Sequence, residues 1–510
     1  MPSLLGIDSG LTVTKAVLFD VDGKQIAVAR RRIAQVMPKP HHVERDMQSF
    51  WMGTAEAIKE VIALSGRPAS DIQAVGATAH GDGIYLLDQH HHPLGAGILS
   101  LDSRAGTLAQ QWIDGPDSNA MLALTGQLPH ASAPSALLAW IKRHEPERFA
   151  SIRHVLSCKD WLRFCLTGEV GTDYTEASTS FTDVRSQTYS RDALSLFGLE
   201  EVWSWLPPIS RSDCVVAGVS LKAAEETGLM AGTPVVAGLH DVTASALGIG
   251  GYGAGVASVI AGTYSINETM SSQPNVSRNW FCRNGIAAGE WNNMAISPAS
   301  TTNYDWFVDR LCDAEAQAAE ASGQSIHTLL AGEIDAAFAR PSTVMFHPYL
   351  FGSPYGAQAS ASFFGLNGWH DRGDLLRAVL EGIAFNHRLH VDDLAAGFAF
   401  DSVRLTGGVS RNPSVAQLFC DVLNKPVTVT TTAEAAAWGA ALCAGSGVGV
   451  YETPRHDPRP LDQLEQHYVP DAGRVRFYQQ RFELFQDLAT AMAPLWSRMA
   501  VLNDTQQVAL

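Results

Sequence analysis

The sequence is poor in cysteine, poor in positive charge and without any long apolar run. Its seven cysteines, at positions 158, 165, 214, 282, 312, 420 and 443, are scattered, odd in number, and form no Cys-x-x-Cys pair. This argues against a disulfide framework and against a zinc site. No stretch of about eighteen consecutive apolar residues exists, so no membrane-spanning helix and no membrane partner are expected. The opening "MPSLLGID" lacks the basic flank and apolar segment of a secretion signal, and the expected location is the cytoplasm. Lys and Arg number 36 against 52 Asp and Glu, a formal net charge of −16. A nucleic-acid binder needs a basic stripe, so nucleic acid is not an expected partner. Anionic ligands stay open, because glycine-rich turns and helix N-termini bind phosphate through backbone N–H groups. Two nucleotide fingerprints are also missing: there is no G-x-x-x-x-G-K-[ST] loop, and no G-x-G-x-x-G follows the first strand.

What is present is an ordinary globular composition, 46% hydrophobic and 17% charged over 510 residues, long enough for two large domains. "LLGID", "VTKAVLFD" and "QIAVARRR" predict three strands, with Asp22-Gly23 at the positive-φ positions of a two-residue hairpin turn. "RDMQSFWMGTAEAIKEVIALSG" has helical apolar spacing and stops at Gly66. Further strands ("IQAVGATA", "TPVVAG", "SVRLTGG", "VTVTTT") alternate with helices ("KDWLRFCLTG", "PSVAQLFCDVL", "AEAAAWGAALCAGSG"), which predicts an α/β protein. "GVASVIAGTYSINETMSS" echoes the first hairpin, a weak internal duplication that suggests two related halves. "GIGGYGAG", five glycines in eight residues, is a hinge or boundary candidate between them. The tail after residue 455 is proline-rich and then helical.

Candidate chemistry gathers at strand ends. In "GLHDVTASALGIG" a single acid, Asp241, stands between a buried strand and a small-residue helix. It reads either as a helix N-cap or as a catalytic base on a strand end. Three turns end a buried strand in glycine and hydroxyl residues: "GIDSGLTVTK", "IAGTYS" and "LTGGVSRN". Without a Cβ, such turns let backbone N–H groups approach phosphate oxygens, with Thr12, Thr14 and Thr263 as further donors. Asp8 ends the first strand and suits either Mg²⁺ beside a phosphate or a local turn cap. Three polar clusters could face a hydroxylated ligand: His80, Gly81 and Asp82; Asp102 and Arg104; Asn303 and Asp305. The "HHH" at 90–92 reads as a solvated hairpin tip, not as a metal site.

Together these stretches resemble the FGGY family of carbohydrate kinases. "ASFFGLNGWHDRGDLLRAVLE", residues 361–381, fits that family's C-terminal signature, and the glycine turns fall in the family's order over about residues 4–450. The resemblance implies two actin-like, ribonuclease-H-like α/β ATPase domains with an inter-domain cleft. Residues 1–248 would carry sugar, phosphate and the catalytic acid, 249–450 the nucleotide, and 451–510 a helical tail packed on the fold. It implies ATP and Mg²⁺ as cofactors. Asp241 would be the general base and Asp8 would hold the metal. Gly10, Thr12, Lys15, Gly262, Thr263, Gly407, Gly408 and Asn412 would bind ATP, and His80, Gly81, Asp82, Asp102 and Asp241 the substrate. "VERDMQSFW", "LMAGTPVVAG", "KRHEPERFASI" and "KDWLRFCLTGE" are similar to xylulose kinases, including those for L-xylulose. The implied reaction is phosphorylation of a primary hydroxyl of a small sugar, a ketopentose such as xylulose. "HGDG" departs from the usual D-xylulose pattern and opens an alditol as the alternative substrate: erythritol, glycerol or a pentitol. A non-catalytic actin-like sensor of nucleotide or sugar is the alternative of another class. The expected partner is the small sugar or polyol itself, and a homodimer is the assembly to test for.

Overall fold

Alternating burial along the first strands explains why both faces of their sheet are covered. In β1 (Ser3–Ser9) and β2 (Val13–Asp20), Leu5, Ile7, Ala16 and Leu18 belong to one apolar cluster, and Leu4, Val17 and Phe19 to another. A period of two sends these sets to opposite faces. β3 (Gln25–Arg32) completes an antiparallel meander with β2. The link between them is not the two-residue turn expected at Asp22-Gly23. Residues 21–24 form the loop, only Gly23 is left-handed (φ 82°), and the Asp20 carboxylate accepts from the Asp22 and Lys24 N–H groups. The Asp20 side chain thus replaces the second positive-φ residue as organiser of the turn.

The computed structural model describes residues 1–509 and divides into two compact units. Unit 1 comprises Met1–Gly253, Met270–Asn293 and Thr432–Leu461, and unit 2 holds Ala254–Thr269, Met294–Thr431 and the chain from Asp462 on. In unit 1, α1 (Met47–Ser65) is capped by Asp46 and ends at Gly66 (φ 64°), where the sequence predicts its end. It buries Phe50, Trp51, Ile58 and Val61 in the cluster that also holds Leu5 and Leu18. β4 (Ile72–Ala79) runs parallel to β1. α2 (Cys158–Thr167) carries a Ser157/Asp160 capping box and stops at Gly168. α3 (Tyr174–Ala177) is one turn capped by Asp173. β5 (Val215–Gly218), β6 (Pro234–Val236) and β7 (Leu239–His240) finish a seven-stranded sheet, with β6 and β7 both parallel to β4. α4 (Asp241–Gly248) follows β7 directly.

Unit 2 repeats the plan. β8 (Gly255–Ala261) and β9 (Ser265–Ser271) are an antiparallel hairpin, as β1 and β2 are. α5 (Arg372–Gly397) leads to β10 (Phe400–Thr406), parallel to β8 as β4 is to β1. α6 (Pro413–Leu423) leads to β11 (Val427–Thr430), parallel to β10. The duplication suggested by the two glycine-turn hairpins is therefore present as matching strand order. The terminal helix Ala472–Ala509 packs Tyr478, Phe482 and Phe485 around Phe385 of α5.

The chain changes units more often than single cuts after residues 248 and 450 provide for. α7 (Ala435–Gly447) follows a strand of unit 2 but belongs to unit 1, covering the second face of its sheet. Glycine makes that close packing possible. Gly6 and Gly76 are register partners on β1 and β4, and an added Cβ would lie 2.0 Å from the Ala437 carbonyl oxygen and 2.1 Å from that of Ala440, respectively. Gly439 meets Ala244 O of α4 at 2.0 Å in the same sense. Helix backbone rests on strand backbone, so Gly76→Ala should destabilise the protein by about 1–3 kcal/mol or more, the cost of overpacking against a neighbour that cannot rotate away. A melting temperature equal to wild type would show that α7 is free to lift off the sheet.

Candidate active site

Asp8, His80 and Asp241 stand at the carboxyl ends of β1, β4 and β7, three mutually parallel strands. In open α/β sheets this edge is where ligands bind, because side chains and helix N-termini converge there. Asp241 is the first residue of α4, not its cap. The cap is His240, whose Nδ1 accepts from Val242 N at 3.3 Å. The N-cap position thus belongs to its neighbour, while the two side chains share the Val242 N–H. The Asp241 Oδ1 accepts from Val242 N at 2.8 Å, and the carboxyl also takes a bond from its own backbone N–H.

The electrostatics of Asp241 are those of an acid without a counter-charge. Its side chain keeps 31% of its surface open, yet the carboxyl lies deep below the surrounding atoms. That recess, and then the negative charge of Asp8, push its pKa up to about 7, against the pull of the Val242 N–H. His240 lies 3.2 Å away but supplies no cation, since burial and the field of Arg283 hold its own pKa down to about 4. His80 is likewise neutral, its pKa lowered to about 3 by burial and Arg45. Burial raises Asp8 as well, and Lys15 Nζ, 3.4 Å away, only partly compensates. Lys15 is itself shared with Glu434 at 3.0 Å, and Glu434 also pairs with Arg30.

The turn after β1 offers backbone. Gly10 N donates to Val13 O at 3.0 Å, and the buried Arg45 donates to the carbonyls of Gly10 and Leu11. Thr14 is buried against Ser9 (Oγ to Oγ1 2.8 Å), whereas Thr12 is exposed at the tip. Of the two hydroxyls, Thr12 is the one open to a ligand.

The "HGDG" turn is built by an ion pair that the sequence does not reveal. Gly81 carries no Cβ because the His240 ring fills that space; a Cβ would lie 1.7 Å from its Nε2. Asp82 is left-handed (φ 57°), and its Oδ1 meets Arg283 Nη2 at 3.0 Å and His130 Nε2 at 3.5 Å. Burial alone would raise the Asp82 carboxyl, but Arg283 and His130 outweigh it and hold it well below the usual range. Arg283 is fixed in turn by Gln127 (Nε to Oε1 2.9 Å) and by the Phe281 ring. Gln127, His130 and Arg283 lie in stretches without motif character, and only contact reveals them.

Asp102 departs from the expected sugar contact. It is 2% exposed, and both of its oxygens accept from Arg104, with a further bond from Val43 N at 2.7 Å. Arg104 also reaches Glu44 at 2.6 Å. A carboxylate saturated in this way ties its loop to the Val43–Glu44 segment and has no free acceptor for a ligand. His90 and His92 ring an exposed tip organised by Asp88, and no group of three or more metal-ligating side chains occurs among the described residues.

In unit 2 the glycine turns line a different kind of site. Gly262 and Thr263 turn between β8 and β9, with Thr263 exposed and Gly262 O accepting from Thr301 Oγ1 at 2.7 Å. Gly407 adopts φ 119°, and a Cβ there would lie 2.0 Å from Ala261 O. Gly408, Val409 and Asn412 then line a pocket of about 570 Å³, together with Tyr304, Asp305 and Ile334. Asn412 caps α6, its Oδ1 accepting from Ser414 N and Val415 N. Asp305 therefore lines the same pocket as Gly408 and Asn412, residues expected to bind ATP, although its sequence context groups it with the candidates for a hydroxylated ligand. Asn303 is buried, holding Ser300 O and Leu350 N.

The chain matches the FGGY carbohydrate kinase N-terminal domain over residues 3–248 and the C-terminal domain over residues 257–448. It is 31% identical to the L-xylulose/3-keto-L-gulonate kinase of Escherichia coli, over 97% of this chain and 98% of that protein. It is 30% identical to the erythritol kinase of Brucella abortus, over 98% of each chain. The crystal structure of xylulose kinase from Rhodospirillum rubrum superposes with a TM-score of 0.81 at 27% identity, covering 97% of this chain and 100% of that one. A parallel-strand edge carrying Asp8 and Asp241, a second unit of the same plan, and relatives aligned from end to end lead to one conclusion: the chain belongs to the FGGY family of carbohydrate kinases, which use ATP as phosphate donor.

Proposed function

We propose that this kinase phosphorylates a primary hydroxyl of a ketopentose of the xylulose type, with Asp241 as the base that receives the hydroxyl proton. The observation that carries the reading is the uncompensated Asp241 carboxyl, raised to about 7. A general base works best when its pKa lies near the working pH, so that it is ionised yet basic enough to take a proton. The relatives named for L-xylulose and 3-keto-L-gulonate support a ketose as acceptor.

ATP fits the two kinds of site described. The turns at Gly10–Thr12, beyond the Gly10 N–H that Val13 O already takes, and at Gly262–Thr263 offer backbone groups and exposed threonine hydroxyls for phosphates, with Lys15 beside the first. The pocket lined by Gly408 and Asn412 has the size and mixed polar and apolar lining of a nucleoside site. Asp8 fits Mg²⁺: it is a recessed carboxylate with one distant cationic partner, and its charge acts on a second acid, the arrangement that a divalent ion relieves. When bound, that ion would neutralise phosphate charge. The chain's own residues hold the sugar hydroxyl beside Asp241, keep His240 and His80 neutral so that neither quenches the base, and present backbone N–H groups to the phosphates.

A second reading, an alditol acceptor, is favoured by Asp82. Arg283 and His130 hold it ionised, so it can only accept hydrogen bonds. An acceptor-only group recognises a hydroxyl and offers nothing to a carbonyl oxygen, and the erythritol kinase relative points the same way.

Three outcomes test these readings. Because Asp241→Asn keeps an acceptor for Val242 N and removes an acid that has no counter-charge, the melting temperature should not fall while turnover drops about a hundredfold to ten-thousandfold. Near-normal turnover of that variant would remove Asp241 from the chemistry. Since the working form is the carboxylate, acid inactivates it, and wild-type kcat/KM should fall about tenfold for each pH unit below about 7. A profile flat down to the ordinary carboxylate range would contradict this. Finally, Asp82→Asn keeps an acceptor for Arg283 but turns the open end into a donor. Across pentuloses, pentitols, tetritols and glycerol in a coupled ADP assay, it should change the ketose-to-alditol ratio of kcat/KM by about tenfold or more. An unchanged ranking would reduce Asp82 to a turn residue.

A further inference from the structure

We infer that the Thr175 hydroxyl is a positioning group for Asp241, linking a buried ion-pair cluster to the backbone that carries the base. The inference rests on the reading of Asp241 as the base. Lys159 and Asp173 are both 0% exposed. Lys159 Nζ lies 2.6 Å from Asp160 Oδ1, 3.1 Å from Asp173 Oδ1 and 2.9 Å from the Ala237 carbonyl oxygen. Asp173 Oδ2 accepts from Thr175 N at 3.0 Å, from Thr175 Oγ1 at 2.7 Å and from Ser212 Oγ at 2.7 Å. Since the Thr175 hydroxyl proton is committed to Asp173, its lone pair faces outward, and it accepts from His240 N at 2.9 Å.

His240 is the residue before Asp241 and the cap of its helix. The cluster therefore grips the segment 237–240 at both ends, Ala237 through Lys159 and His240 through Thr175. Between these points Gly238 is left-handed (φ 77°), and a Cβ on it would meet Ala77 O at 2.2 Å and Lys159 Cδ at 3.0 Å. The strand end is thus wedged between β4 and the lysine stem. The hydrogen bonds to the Asp241 carboxyl come from local backbone, the Val242 N–H and its own, and the nearest side chain is that of His240, 3.2 Å away. Its aim follows from where His240 is held, and Thr175 sets that together with the β7–β4 pairing at Ala79. A buried ion-pair cluster suits this task because its hydrogen-bonded geometry has few alternatives.

Thr175 is also the safest place to test it, because removing Lys159 or Asp173 would strand a buried charge. Thr175→Val keeps the shape and removes both hydroxyl bonds; Thr175→Ser restores them. In the full chain, with the best sugar of the panel, Thr175→Val should lower kcat about tenfold to a hundredfold, the cost of a small misplacement of a reacting group. Sugar KM should stay within about threefold, the mark of an interaction felt in the transition state. The melting temperature should remain within about 3 °C, and Thr175→Ser should recover most of kcat. If Thr175→Val does not fold, Thr175→Ala takes its place with the same expectations. Wild-type kcat in the hydroxyl-free variant would overturn the inference, and so would a loss that Thr175→Ser shares. Asp241→Asn measured alongside separates the two ideas. If it is inactive and Thr175→Val is normal, only the positioning role fails; if it is active, the base reading itself fails.

Discussion

The site depends on one carboxylate that has no cation. In folded proteins a recessed acid is usually paired. Here every nearby cation has another partner: Lys15 goes to Asp8 and Glu434, Arg283 to Asp82, and Lys159 to Asp160 and Asp173. His240, the nearest base, is kept neutral. The fold spends its positive charge on holding loops and leaves Asp241 facing two other acids, Asp8 and Asp82. An acid left in this way is a poor contributor to stability and a good proton acceptor near neutrality.

Keeping such a group in place requires a stiff support. Unit 1 adds close backbone contact to its packed side chains. Gly6, Gly76 and Gly439 let α7 rest on the sheet and on α4 at distances that any side chain would prevent. Gly81 and Gly238 do the same around His240. Unit 2 reuses the hairpin-and-parallel-strand plan, and its glycine turn at Gly408 borders a nucleoside-sized pocket. One architecture, used twice, thus gives an acid-bearing strand edge in one unit and a pocket of about 570 Å³ in the other.

The sequence made the strands, the helix stops at Gly66 and Gly168 and the strand-end acids legible, because these rest on local periodicity and on residues with restricted backbone choices. The doubled hairpin was visible for the same reason. What stayed hidden depends on distant partners. Asp102 resembles a substrate ligand until Arg104 and Val43 are seen to occupy it. Asp305 looked like a companion of the sugar cluster, but its helix places it beside Gly408 and Asn412. Arg283, about two hundred residues from Asp82, carries no local signature, nor does Thr175 within "TDYTEAS". The return of α7 to unit 1 was equally unreadable, because a small-residue helix shows that it packs closely without showing against what.

The ionisation of Asp241 in the free protein tests the account most directly. A carboxyl-carbon NMR titration of aspartate-labelled wild type and of Asp241→Asn isolates its resonance by difference. The account predicts one aspartate titrating at about 7, absent from the variant, and moving toward the ordinary range when Asp8 is replaced by Asn. If every aspartate of the wild type titrates in the ordinary carboxylate range, Asp241 is not the isolated acid described here, and the basis for its role as proton acceptor is gone.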